Sequence, residues 1–248
     1  FGNDHLGHGK TSDLGGEDGF FAEKKGRYYV LKDLKTMNEL GRKRWPGRPV
    51  ILLGHSMGSF FARWFAAEYP EALDALVISG TAGPNPAAGV GGLAADLMCL
   101  LQGPHGHSPL LQKLAFGSYN KRIADKRTAN DWLTKNTEMV DAYNRDKYCT
   151  FLFTVNGYQT LFDVLGFIQK KENIEKIPKN LPVYMIAGEE DPVGNYGKGV
   201  EKVFEKYRKC GIRDLELKLY EDDRHEILNE LDRENVYLDV KNWILKHI

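Results

Sequence analysis

The sequence predicts an α/β sandwich built on a mainly parallel sheet, with a helical segment inserted between two strands. Three observations carry that prediction: apolar runs alternate with helical periodicity, several runs are nearly continuous, and the rhythm breaks between residues 83 and 180. The chain has 248 residues, 42% of them hydrophobic, enough for one sizeable core carrying an insertion or for two small domains. Its 34 basic residues balance 34 acidic ones, so the clustered cationic excess of a nucleic-acid binder is missing.

Residues 49–53, 75–79 and 182–187 are the continuous runs, and they suit strands covered on both faces. Residues 215–220 alternate apolar and polar, as a strand nearer an edge does. Between the first two runs, Met57, Phe60, Phe61, Trp64 and Phe65 recur at helical spacing, and Pro70 closes that helix. Val30, Leu34 and Met37 form a weaker stripe ended by Gly41, and Val200, Val203, Phe204 and Tyr207 another ended by Gly211. Val236, Val240, Trp243 and Ile244 mark a terminal helix. The segment that breaks the rhythm opens with a Gly/Pro/Ala-rich stretch, residues 83–92, expected to be mobile, and continues with helical patterns. The expected organisation is a core of residues 1–82 and 181–248 with a helical cap at 83–180.

Cys99, Cys149 and Cys210 are odd in number and widely spaced, which fits a reducing, cytoplasmic setting better than a disulfide framework. No apolar run reaches the ~20 residues of a membrane span, and no signal-peptide pattern opens the chain.

Ser56 is one of six serines, and it sits in Gly54-His55-Ser56-Met57-Gly58, a G-x-S-x-G match. The bare pattern is only moderately specific; its context sharpens it, because a predicted strand ends just before the serine and an apolar helix begins just after. Such a turn holds the serine in a strained conformation, with glycines two positions away on either side for want of room. The helix then aims its first amide, that of Met57, and its positive dipole end at the place where an oxyanion forms.

A serine hydroxyl needs a base, and the base an acid to orient it. Asp191 follows the strand at 182–187 and His225 follows the strand at 215–220, so both emerge at the carboxyl rim where open α/β sheets build their sites. Asp191 is assigned as acid and His225 as base. Glu189 and Glu190 are rival acids; Asp222 and Asp223 lie on the histidine's own loop. His105 and His107 make an H-x-H pair with no third ligand at suitable spacing, and His55 is expected to pack or hydrogen-bond locally. His5, His8 and His247 carry no constellation.

With these residues in place, the chain resembles the α/β-hydrolase superfamily, and within it the monoacylglycerol lipase and lysophospholipase-like branch. Asp4-His5-Leu6-Gly7-His8-Gly9-Lys10-Thr11 looks like that branch's D-x-x-G-H-G-x-S/T turn after a sheet strand, and Leu53 to Gly58 looks like its elbow. The segments around Gly188 to Asp191 and Asp223 to His225 look like its acid and histidine loops. The resemblance implies an acyl-enzyme on Ser56, a small-molecule acyl ester or lipid substrate, and no metal or organic cofactor. It also implies a cap forming an apolar tunnel, the part of the chain that could touch a membrane surface. Peptide, thioester or amide cleavage on the same triad remains open, as does a catalytically silent binding protein. Ser59 stands where the branch usually has Gly. The branch's first strands and the loop supplying its second oxyanion amide precede the point where this sequence starts. The expectation is therefore a fragment of a protein roughly 50 to 70 residues longer, since a strand between those ending at Asp4 and Leu53 is needed to pair the backbone.

Overall fold

A computed structural model describes the backbone of residues 1–248 and the side chains of all but residues 86 and 87. Helices α1 (Gly9–Asp13) and α2 (Gly26–Arg44) lead into β1 (Ile51–His55), α3 (Met57–Glu68) and β2 (Ala75–Ser79). Five helices follow: α4 (Pro86–Gln102), α5 (Pro109–Phe116), α6 (Thr137–Arg145), α7 (Val155–Ile168) and α8 (Lys171–Ile174). The chain then forms β3 (Val183–Gly188), α9 (Lys198–Lys209), β4 (Leu215–Tyr220) and α10 (Arg233–Lys246). The four strands are all parallel and stand in the order β1-β2-β3-β4, as an α/β-hydrolase core requires.

Strand periodicity divides the core. Leu76, Ile78, Val183, Met185 and Ala187 face the layer containing α2, α3 and α9, while Ala75, Val77, Tyr184 and Ile186 face α10. On α3, Phe60, Phe61, Trp64 and Phe65 are all buried, and each such side chain contributes about 1.5–3 kcal/mol by leaving water. That burial fixes the helix directly behind Ser56.

Several expectations need correction. In β1, Ile51 and Leu52 pack against opposite core layers, but Leu53 is 41% exposed rather than buried. The residues up to Asp4 form no strand, since an extended segment without a neighbour leaves its ladder hydrogen bonds unmade. Gly41 does not end α2, which runs on to Arg44; a Cβ there would lie 2.6 Å from the ring of Phe1, so the glycine makes room for an aromatic contact. Within the Gly/Pro/Ala-rich stretch at 83–92, residues from 86 on form the start of α4. A Cβ on Gly91 would lie 2.5 Å from the Phe162 ring, so small residues here let α4 approach α7. Gly211 behaves as expected: at φ 90° it follows the end of α9.

Candidate active site

The β1-to-α3 turn holds Ser56 at φ 52°, ψ −124°, a conformation that non-glycine residues rarely adopt. Its N–H donates to Ser79 O on β2 at 3.0 Å, which pins the strained residue to the sheet. Only one of the flanking glycines is sterically required. A Cβ on Gly54 would lie 2.5 Å from Gly58 O, whereas one on Gly58 would meet nothing within 4 Å. Met57 opens α3, so its N–H belongs to the helix's unpaired first turn.

Asp191 and His225 are brought together from separate loops. Both are buried, and His225 Nδ1–H donates to Asp191 Oδ2 at 2.9 Å. The other carboxylate oxygen accepts from Val193 N–H at 2.8 Å, which holds the acid in place. Gly188, the last residue of β3, permits this meeting: a Cβ there would lie 2.1 Å from Asp223 O and 2.2 Å from Arg224 O. The histidine loop therefore crosses over the bare end of β3. Glu189 and Glu190 are exposed; Asp223 is buried but turns to Lys135 Nζ at 2.8 Å. With Nδ1 engaged, the neutral imidazole carries its lone pair on Nε2. That atom is buried and has no hydrogen-bond partner, Ser56 Oγ included. Catalytic hydrogen bonds of this kind often tighten only with substrate present.

His55 links the serine turn to the base. Its ring lies 4.8 Å from that of His225, and its Nδ1 meets Ser79 Oγ at 3.1 Å. Burial and the neighbouring His225 push its pKa down to about 3, so it stays neutral beside an imidazole that gains charge in any proton transfer.

Sequence reasoning missed the helical insertion's share of this site. Trp132 lies 5.1 Å from the His225 ring, and Tyr119 and Phe116 pack against Trp132 at 4.7 and 6.5 Å. Burial raises the pKa of Tyr119, with Asp191 adding to it. The segment bearing Trp132 is bonded to the histidine loop: Arg224 donates to Asp131 O at 2.6 Å and Thr134 O at 3.2 Å, and Glu226 N–H to Leu133 O at 2.7 Å. Buried Glu230 accepts from the backbone N–H of both Lys135 and Arg224. No local signal marks these partners, which are separated by about 90 residues in the chain.

The remaining histidines serve elsewhere. His105 lies between Glu17 (2.5 Å) and Glu23 (2.9 Å) on the Phe20 ring, and the Asp4 turn is closed by Lys10 N–H on Asp4 Oδ2 and Thr11 Oγ1–H on Asp4 O. His247 does have neighbours: with Asp214 and Glu216 it forms the one grouping of metal-ligand spacing among the described residues, near the amino end of β4 and away from Ser56.

The family model described as serine aminopeptidase, S33, matches residues 1–232. The chain belongs to that α/β-hydrolase family. It is 27% identical to the human monoglyceride lipase, covering 98% of this chain and 72% of the relative. Against the monoacylglycerol lipase of Mycolicibacterium smegmatis the figures are 25%, 99% and 77%. Among solved structures, a thermostable carboxyl esterase from Bacillus coagulans, in complex with glycerol, superposes with a TM-score of 0.92 at 29% identity, covering 98% of this chain and 79% of the esterase.

Proposed function

We propose that this protein is a serine hydrolase that cleaves carboxylic esters of the monoacylglycerol or lysophospholipid kind through an acyl-enzyme on Ser56. The observation that carries this reading is the buried Asp191–His225 pair, whose unpartnered Nε2 belongs to the same site as a strained serine. His225 Nε2 takes the Ser56 proton as Oγ attacks the ester carbon, and Met57 N–H donates to the oxyanion. Asp191 stabilises the imidazolium, which then protonates the leaving alcohol. Water, activated by the same imidazole, releases the acid and restores the serine. Neither a metal nor an organic cofactor takes part.

The names of the lipase and esterase relatives support an ester substrate, and so does the surrounding chemistry. A peptidase for amino-terminal residues needs free carboxylates at the site. The buried acidic side chains around the histidine loop are engaged: Asp131 with Arg127 N–H and Thr128, Asp223 with Lys135, and Glu230 with two backbone amides. The groups beside His225 are instead aromatic. In this reading residues 83–180 act as the cap over a core of 1–82 and 181–248. Val90, Leu93, Leu97, Leu100 and Leu101 of α4 are exposed, an apolar face that suits transient contact with a lipid surface. Among the described residues no helix is long and apolar enough to cross a membrane.

The test is labelling with a fluorophosphonate, followed by a panel of p-nitrophenyl esters, monoacylglycerols and aminoacyl amides. Labelling of the wild type, its loss in Ser56→Ala, and turnover confined to esters are expected. A folded wild type that resists the probe supports a silent binding protein, and turnover confined to aminoacyl amides supports a peptidase.

A further inference from the structure

Glu230 is fully buried and stands outside the triad. A carboxylate taken out of water carries a large desolvation cost, so its partners matter. The nearby Lys135 ammonium pairs with Asp223 instead. Glu230 turns both oxygens to the backbone: Oε1 accepts from Arg224 N–H at 3.0 Å, and Oε1 and Oε2 share Lys135 N–H at 3.1 and 3.0 Å. Among the described residues neither amide has another acceptor.

Those two amides belong to the two segments that frame the imidazole. Arg224 immediately precedes His225. Lys135 closes the segment of the insertion that carries Trp132, and it lies 95 positions from Glu230 in the chain. The residue after the histidine is held by the same segment, since Glu226 N–H donates to Leu133 O at 2.7 Å. On the other side, Glu190 N–H of the acid loop donates to Asp223 O at 2.8 Å. Glu230 is itself fixed in place. A single 3₁₀ turn, Ile227–Asn229, brings the chain back so that the carboxylate meets the amide six positions earlier. Ile227 is 0% exposed and anchors that turn in the apolar cluster that includes Val236 and Val240 of α10.

We infer that Glu230 is a positioning residue for His225: its carboxylate clamps the histidine loop to the Trp132 segment, and so fixes the direction of Nε2 and holds the indole beside the imidazole. The inference rests on the reading of this protein as a serine hydrolase. A carboxylate suits the task because both of its oxygens accept, so it serves two N–H groups arriving from different segments. An amide side chain of the same shape has one accepting oxygen and turns an NH2 group toward the remaining donor.

The test is Glu230→Gln, read by ester kinetics and by the downfield proton resonance of His225 Nδ1–H, which is assigned by its absence in His225→Ala. The variant should lose roughly 10- to 100-fold in kcat with KM within about twofold of wild type, and its resonance should shift or broaden. Combined with Trp132→Ala, its loss in kcat should be smaller than the product of the two single losses, since both changes act on one contact. Val203→Ala, a truncation buried on α9, serves as the control: it should lower stability and leave kcat and the resonance unmoved. If Glu230→Gln does not fold, Glu230→Asp, which keeps the carboxylate but shortens its reach, is read in the same way. Wild-type kcat and resonance in the folded variant overturn the inference. So do a change confined to KM, losses that multiply with those of Trp132→Ala, or an equal loss in Val203→Ala. A wild type that neither turns over esters nor takes a fluorophosphonate overturns the hydrolase reading instead, and the resonance then decides whether Glu230 holds the histidine loop.

Discussion

Replacing Asp223 by Asn should stabilise the protein above about pH 6 and leave it unchanged below about pH 4. The Asp223 carboxyl is fully buried, and burial raises its pKa from 3.8 to about 6, although Lys135 at 2.8 Å pulls the other way. A raised carboxyl pKa means the folded state holds its proton more tightly than the unfolded chain. The stability so contributed is fully present below the unfolded value of 3.8 and is lost as pH rises through the folded value of about 6. At 1.36 kcal/mol per pH unit, the full span is about 3 kcal/mol, of which about 2 kcal/mol falls between pH 4.5 and 8. The amide of the variant does not titrate, so the stability difference between variant and wild type should grow by about 2 kcal/mol over that interval, read by urea denaturation at both pH values. Lys135 loses its partner in the variant, but it is partly exposed and finds water. Ester turnover should fall, because Lys135 and Asp223 help hold the Trp132 segment against the His225 loop. Parallel pH profiles for the two proteins would refute the argument.

Three further outcomes test the site itself. Ser56→Ala and His225→Ala should each lower kcat by on the order of 10⁴- to 10⁶-fold, and the double variant should be no worse than either, since the residues act as a unit; strictly additive losses in steady-state kinetics contradict the assignment. Trp132→Ala should lower kcat on the order of tenfold and shift the acidic limb of the pH–kcat profile with KM little changed, while Trp132→Phe restores both; a change in KM alone assigns the ring to substrate binding instead. Gly188→Ala should cost at least 1–3 kcal/mol in urea denaturation and slow fluorophosphonate labelling, because the new methyl group would collide with the Asp223 and Arg224 carbonyls; wild-type stability and labelling would show that the loop yields freely.

Legibility in the sequence followed the range of the forces involved. The runs at 75–79 and 215–220 coincide with β2 and β4, because side-chain alternation and continuous burial are set by immediate neighbours. Ser56, Asp191 and His225 could be placed at strand ends for the same reason: a strand, a turn and a helix start are written within a few residues. The continuous run before Ser56 forms β1, but Leu53 within it is exposed, since apolarity states a preference for burial and not its outcome. The helix beginning within residues 83–92 was not legible, because helix propensity weighs against its glycines while packing of Gly91 on Phe162 favours them.

Order along the chain settled the α/β class, the serine turn and the acid and histidine loops, since each depends on local periodicity and turn chemistry. The fold alone decided that Gly188 makes way for the histidine loop, that Asp191 rather than its acidic neighbours reaches His225, and that Trp132 lies beside the imidazole. Those outcomes rest on contacts between residues about 35 to 90 positions apart. Such contacts form only when whole layers pack, and no short stretch of sequence carries the energy that selects them.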